Sequence, residues 1–172
     1  TQPNICLIGE EVAAKKMSLA EITNYIADSV EARGNNGDNF GVAIIPEGIV
    51  EFVPEFSKLI AEINELLAGS KTEEFNALPD WEAKYNFIQA GLTAESFSVF
   101  DILPQFVQQQ LFLERDPHGN VQVSLIESEK LFSEMVKAEL SKRKAAGTYK
   151  GKFGAQHHFF RSEERRVGKE CS

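Results

Sequence analysis

Cysteine is almost missing from this sequence. There are two in 172 residues, Cys6 and Cys171, and no spacing among them frames a disulfide set or a metal site. A reducing, cytoplasmic setting is the simplest fit. Basic charge is also short. Eighteen Lys and Arg stand against 26 Asp and Glu, and the net charge of −8 argues against a nucleic-acid or membrane-surface partner. No run of eighteen apolar residues and no charged-then-apolar leader occurs, so the sequence reads without a membrane span or signal peptide. A glycine-rich phosphate loop is absent, because Gly34, Gly37 and Gly41 have the wrong spacing and Gly41 falls within an expected strand. No Ser-His-Asp order with a nucleophile elbow appears. Histidine is limited to His118 and the pair His157 and His158. Neighbours on a strand point to opposite faces, so that pair is a poor claw for one ion. No Met precedes Thr1-Gln2-Pro3-Asn4, and the sequence reads as one that begins inside a domain.

What is present suffices for a core. Apolar residues make up 42% and Phe alone numbers 13, which excludes wholesale disorder and fits one domain or a piece of a larger one. Ile5 to Ile8 reads as a buried strand ended by Gly9 and followed by Glu10 and Glu11. Ser18-Leu19-Ala20-Glu21 has capping-box spacing, and Leu19, Ile22, Ile26 and Val30 continue a helix to a stop at Gly34. Phe40 to Ile45 is a second apolar run, too short for a helix and without alternation, so neither face should meet water. Strand, helix, strand at this length predicts a parallel, right-handed βαβ unit.

Pro46 removes a donor and closes the second strand, and Gly48 lets the backbone turn. Glu47 is thereby held just past the carboxyl end, where ligands bind in open α/β sheets. It is either a substrate acceptor or a solvated loop residue. Glu10 and Glu11 should leave the neighbouring strand at the same rim, about 5 Å away laterally.

The character then changes. Phe56, Leu59, Ile60, Ile63, Leu66 and Leu67 mark an amphipathic helix between Pro54 and Gly69. Weaker helical spacing covers Thr72 to Ala77, then Trp81 to Gly91, and Phe97 to Phe112 with a break at Pro104. Asp116 to Asn120 is turn chemistry, and the alternation Val121, Val123, Leu125 predicts a short strand. Leu131 to Leu140 predicts a last long helix, stopped at Gly147, whose Lys142-Arg143-Lys144 run reads as a solvated end favourable to the helix dipole. Phe153 to Phe160 reads as a strand. Lys150 and Lys152 alternate on one face of it and could meet a phosphate, although the commoner role is to keep an edge soluble. Phe97, Phe100 and Phe112 read as core.

Four motifs add a resemblance. Residues 1–11, 39–48, 113–124 and 151–160 (Thr1 to Glu11, Asn39 to Gly48, Leu113 to Ser124, Gly151 to Phe160) resemble the long-type pyrophosphate-dependent 6-phosphofructokinases, in that family's order. The resemblance implies an α/β fold: a parallel βαβ piece of a sugar-phosphate-binding domain at 1–53, a mostly helical insertion at 54–147 and a return strand at 148–160. It implies phosphoryl transfer from pyrophosphate to fructose 6-phosphate with Mg2+, in the cytoplasm, by an enzyme that is a homo-oligomer at full length. Glu47 matches the family's sugar-binding glutamate. The donor loop, the metal ligand and the catalytic base would lie upstream of Thr1, so no catalytic residue falls in this chain and the chain alone should be inactive. After Phe160 the family's sugar-phosphate motif gives way to residues 161–172, which look like a translated sequencing adapter. Two alternatives stay open: an ATP-dependent member of the superfamily and a non-catalytic regulatory subunit of the same fold.

Overall fold

The computed structural model describes residues 3–38, 40–69, 71–113, 115 and 120–158. Strand β1 (Ile5–Cys6) leads into helix α1 (Gly9–Lys15), helix α2 (Leu19–Asn35) and strand β2 (Ala43–Ile44), which pairs with β1 in parallel, Ile5 opposite Ala43 and Cys6 opposite Ile44. The parallel βαβ reading holds. The capping box also forms: Ser18 Oγ accepts from the Glu21 amide at 3.1 Å and the Glu21 carboxylate accepts from the Ser18 amide at 2.8 Å. That amide, then the Ser18 hydroxyl, holds the exposed Glu21 carboxyl below its ordinary pKa.

Two expectations for this unit fail. The first run stops being strand after Cys6, and after the two-residue link Leu7-Ile8, Gly9, Glu10 and Glu11 are the first turn of α1. The second run is not buried on both faces: Phe40 is 69% exposed and Ile44 48%. Side chains alternate across a strand, so Ile5 and Leu7 turn to the core while Cys6 and Ile8 turn out, and Ile44 beside Cys6 shares their outer face. Among the described residues the sheet has only two strands, and the outer face has no covering layer.

The helical block follows the apolar spacing. After a short 3-10 helix, Ile49–Phe52, helix α3 (Pro54–Leu66) starts with Pro at its first turn and buries Phe56, Leu59, Ile63 and Leu66. Helices α4 (Lys71–Asn76), α5 (Trp81–Gly91), α6 (Ala94–Asp101) and α7 (Gln105–Leu113) follow, and α3 packs on α6 and α7. Phe100 stands edge-on to Phe112 at 5.6 Å between centroids, and Phe97 lies beside Phe100, so this aromatic set is core as expected.

The two later strands do not form among the described residues. Val121 makes a single antiparallel bridge with Arg115, and Val123–Leu125 closes into a 3-10 turn through Leu125 to Gln122 and Ile126 to Val123 bonds. No partner strand lies beside it among the described residues, so the Leu125 and Ile126 amides bond locally while the Val121 amide donates to Asn64 Oδ1 at 2.9 Å. Alternation over three residues did not decide the matter. Residues 152–158 are likewise irregular. The expected turn at Asp116 to Gly119, the pair Phe159-Phe160 and the segment 161–172 lie outside the described residues. Helix α8 (Ser128–Ala145) packs along α2 and ends at Gly147 as expected. Among the described residues no helix is long and apolar enough to cross a membrane.

Candidate functional site

The carboxyl ends of β1 and β2 leave on the same side of the sheet and feed different structures. From β2 the chain passes Ile45 and Pro46 into a turn at Glu47 and Gly48, where Gly48 has φ +73°. That left-handed value suits glycine and reverses the chain. The Ile49 amide donates to Pro46 O at 3.3 Å and the Glu51 amide to Gly48 O at 2.9 Å. Ile49 and Val50 directly after it are fully buried. Glu47 thus stands between the end of a hydrogen-bonded strand and two core anchors, while its own side chain is exposed. No hydrogen bond or ion pair ties it to another described residue. A fixed backbone with an uncommitted carboxylate can accept hydrogen bonds from hydroxyl donors.

From β1 the chain passes Leu7 and Ile8 into α1, which packs on the 3-10 helix beyond Glu47. Glu10 and Glu11 are exposed in the first turn of α1, where acidic side chains complement the helix dipole. Glu11 also pairs with Lys15 at 3.0 Å, so a helix-stabilising role accounts for it. The other candidates disperse. His157 and His158 are exposed on irregular chain, and His118 lies outside the described residues. Lys150 and Lys152 are exposed, and the Lys150 amide, not its ammonium, is engaged, donating to Asn35 Oδ1 at 3.2 Å. Among the described residues no three His, Cys, Asp or Glu come together to hold a metal ion.

One reading of the sequence needs correction here. Lys142 and Lys144 are solvated, but Arg143 is not: its side chain is 17% exposed and reaches across to α2. Its Nη1 donates to Asp28 at 2.7 Å and Glu31 at 2.8 Å, its Nε to Glu139 at 3.1 Å, and its Nη2 to Asn24 at 3.2 Å. Burial pulls the guanidinium pKa down, but the bonds to Asp28, Glu31 and Glu139 outweigh it and raise the net value. Asn35 continues the line, donating to Thr148 O at 2.9 Å, beside an open groove of about 440 Å³. The missed signal was present in the sequence. Asn24, Asp28, Glu31 and Asn35 fall at helical spacing, a polar stripe with two acids beside the core-facing stripe of Leu19, Ile22 and Ile26. Such a stripe calls for a cation from a partner helix.

No family model matches the chain. It is 51% identical over 165 residues to a pyrophosphate--fructose 6-phosphate 1-phosphotransferase subunit beta 1 of Arabidopsis thaliana, a match covering 96% of this chain and 27% of that protein. A pyrophosphate--fructose 6-phosphate 1-phosphotransferase of Treponema pallidum is 44% identical over 165 residues, covering 96% of this chain and 29% of that protein. The subunit alpha of that enzyme from Solanum tuberosum is 38% identical over 161 residues, 93% of this chain and 24% of its own length. The resemblance read from the four motifs therefore stands, and the chain spans little more than a quarter of the length of the first two relatives.

Proposed function

We propose that this chain is the sugar-binding part of a pyrophosphate-dependent 6-phosphofructokinase, which moves a phosphoryl group from pyrophosphate to fructose 6-phosphate. Glu47 is its substrate-binding residue. The observation that carries the reading is an exposed carboxylate, uncommitted among the described residues, on a core-anchored turn at the carboxyl end of a parallel strand. Fructose 6-phosphate offers hydroxyl donors to such a group, whereas its phosphate would be repelled. Glu47 accordingly faces the sugar ring. The similarity to proteins named for both substrates supports the same assignment.

Residues 1–53 supply the sugar-phosphate side, 54–147 the helical insertion and 148–160 the return to the α/β body. Positioning donor, metal and base together is what drives phosphoryl transfer. The implied Mg2+ would neutralise charge on pyrophosphate, but the described residues do not group into a site for it. The purified chain, little more than a quarter of the length of those relatives, should not turn over on its own. The proposal includes a cytoplasmic setting and a homo-oligomeric full-length enzyme. The names of the relatives favour pyrophosphate over ATP, and the presence of Glu47 favours a substrate-binding over a purely regulatory subunit. The test is sugar kinetics of Glu47→Gln in a full-length relative whose matching stretch has been exchanged for this chain.

A further inference from the structure

We infer that Arg33 is a positioning residue for Glu47: with Asn4 it clips the entry of β2 and so sets the register in which Glu47 reaches the rim. The inference rests on the reading of Glu47 as the sugar-binding carboxylate.

The β1–β2 ladder is two residues long and β2 is exposed, with no partner on its second edge among the described residues. Register is weakly specified in such a strand. A slip of one residue would shift Glu47 by about 3.3 Å along the strand and turn every side chain to the opposite face. Something besides the ladder must hold it.

Two side chains do so ahead of the ladder. Arg33, in the last turn of α2, donates to Phe40 O from Nε at 3.1 Å and from Nη2 at 2.7 Å. Its own carbonyl accepts from the Asp38 amide at 2.9 Å, closing the loop between α2 and β2. Asn4 grips the next peptide from the other strand. Its backbone amide donates to Val42 O at 2.8 Å while its Oδ1 accepts from the Val42 amide at 2.9 Å. Gly41 runs between the two clips, and a Cβ there would stand 3.3 Å from Asn4 Oδ1 and 3.6 Å from Arg33 Nε. Both polar groups of Val42 and the carbonyl of Phe40 are thus assigned before Ala43 pairs. A register shift would break all of these bonds together.

Arg33 is on the surface, its side chain 34% exposed, so its replacement should leave the fold in place. Two experiments test the inference. In the 172-residue chain, hydrogen exchange is followed at the Val42 and Leu7 amides, the latter donating to Ile44 O at 3.0 Å. Arg33→Gln should speed both about tenfold, and Arg33→Lys, which keeps one charged donor, should recover part of the protection. In the full-length exchange enzyme, Arg33→Gln should raise KM for fructose 6-phosphate about fivefold, with kcat and the pyrophosphate KM within about twofold. Unchanged exchange would overturn the clip. Faster exchange with an unmoved sugar KM, in an enzyme where Glu47→Gln does raise it, would overturn the positioning role. If Glu47→Gln itself leaves sugar kinetics intact, the positioning role falls with the reading of Glu47, and the exchange data still decide whether the clip exists.

Discussion

Gly9 lies so close under Phe52 that a Cβ built on it would stand 2.7 Å from Cδ2 and Cε2 of the ring. This approach is how α1 meets the 3-10 helix just beyond Glu47, so the two exits from the sheet are packed through a missing methyl. Helix propensity would favour Ala at this position by up to about 1 kcal/mol. Overpacking costs about 1–3 kcal/mol, and Phe52 is 39% exposed and can partly swing away. Gly9→Ala should therefore destabilise by about 1 kcal/mol in urea unfolding, and adding Phe52→Leu should restore most of it. A single substitution that stabilised the chain would show that the contact does not limit packing.

Local rules made much of the fold legible. Ser18 and Glu21 announced their capping box, Pro54 announced the start of α3, and the apolar spacing of Leu131 to Leu140 announced α8. What failed depended on partners that local sequence does not encode. Val121 to Leu125 alternated like a strand but among the described residues makes one bridge, to Arg115. Phe40 and Ile44 looked fully buried but are exposed, Phe40 ahead of β2 and Ile44 on a sheet face that no described residue covers. At the site, Pro46-Glu47-Gly48 was readable because proline and glycine have fixed backbone meanings. The bonds of Asn4 and Arg33 were not, since Asn4 meets a backbone amide 38 residues on and Arg33 a carbonyl across the loop that follows its helix.

The Arg143 network gives a second prediction. Glu31 and Glu139 are 24% and 26% exposed at their side chains, so removing the guanidinium leaves two half-buried carboxylates without their cation. Arg143→Met keeps the packing of the stem and should cost about 1.5–3 kcal/mol, read as a lower urea midpoint. Asp28 is 69% exposed, and Asp28→Asn should cost under about 0.5 kcal/mol. Equal losses for the two variants would contradict a network centred on Arg143.

Glu62 supplies a pH dependence. It sits on α3 and caps α6 from outside, accepting from the Thr93 amide at 3.0 Å and the Thr93 hydroxyl at 2.9 Å. Burial pushes its carboxyl up, but those bonds and nearby Lys58 outweigh it and hold the net value below the ordinary 4.5. A depressed carboxyl stabilises the fold above its unfolded pKa and loses that contribution as pH falls through its folded one. The stability gap between wild type and Glu62→Gln should hold steady above about pH 5 and shrink below about pH 4. A gap independent of pH across that window would rule out the carboxylate as the cause.

The most direct measurement of the central claim is the sugar kinetics of Glu47→Gln in a full-length relative carrying this segment. The amide keeps the shape and loses the charge, which should cost about 1.5–3 kcal/mol of transition-state binding. The account predicts a fall of roughly ten- to two-hundredfold in kcat/KM for fructose 6-phosphate, with the pyrophosphate dependence little changed. Glu10→Gln and Glu11→Gln, on the same rim but within the first turn of α1, should cost less. Intact sugar kinetics in Glu47→Gln, together with their loss in Glu11→Gln, would contradict the account and place the sugar against the other strand.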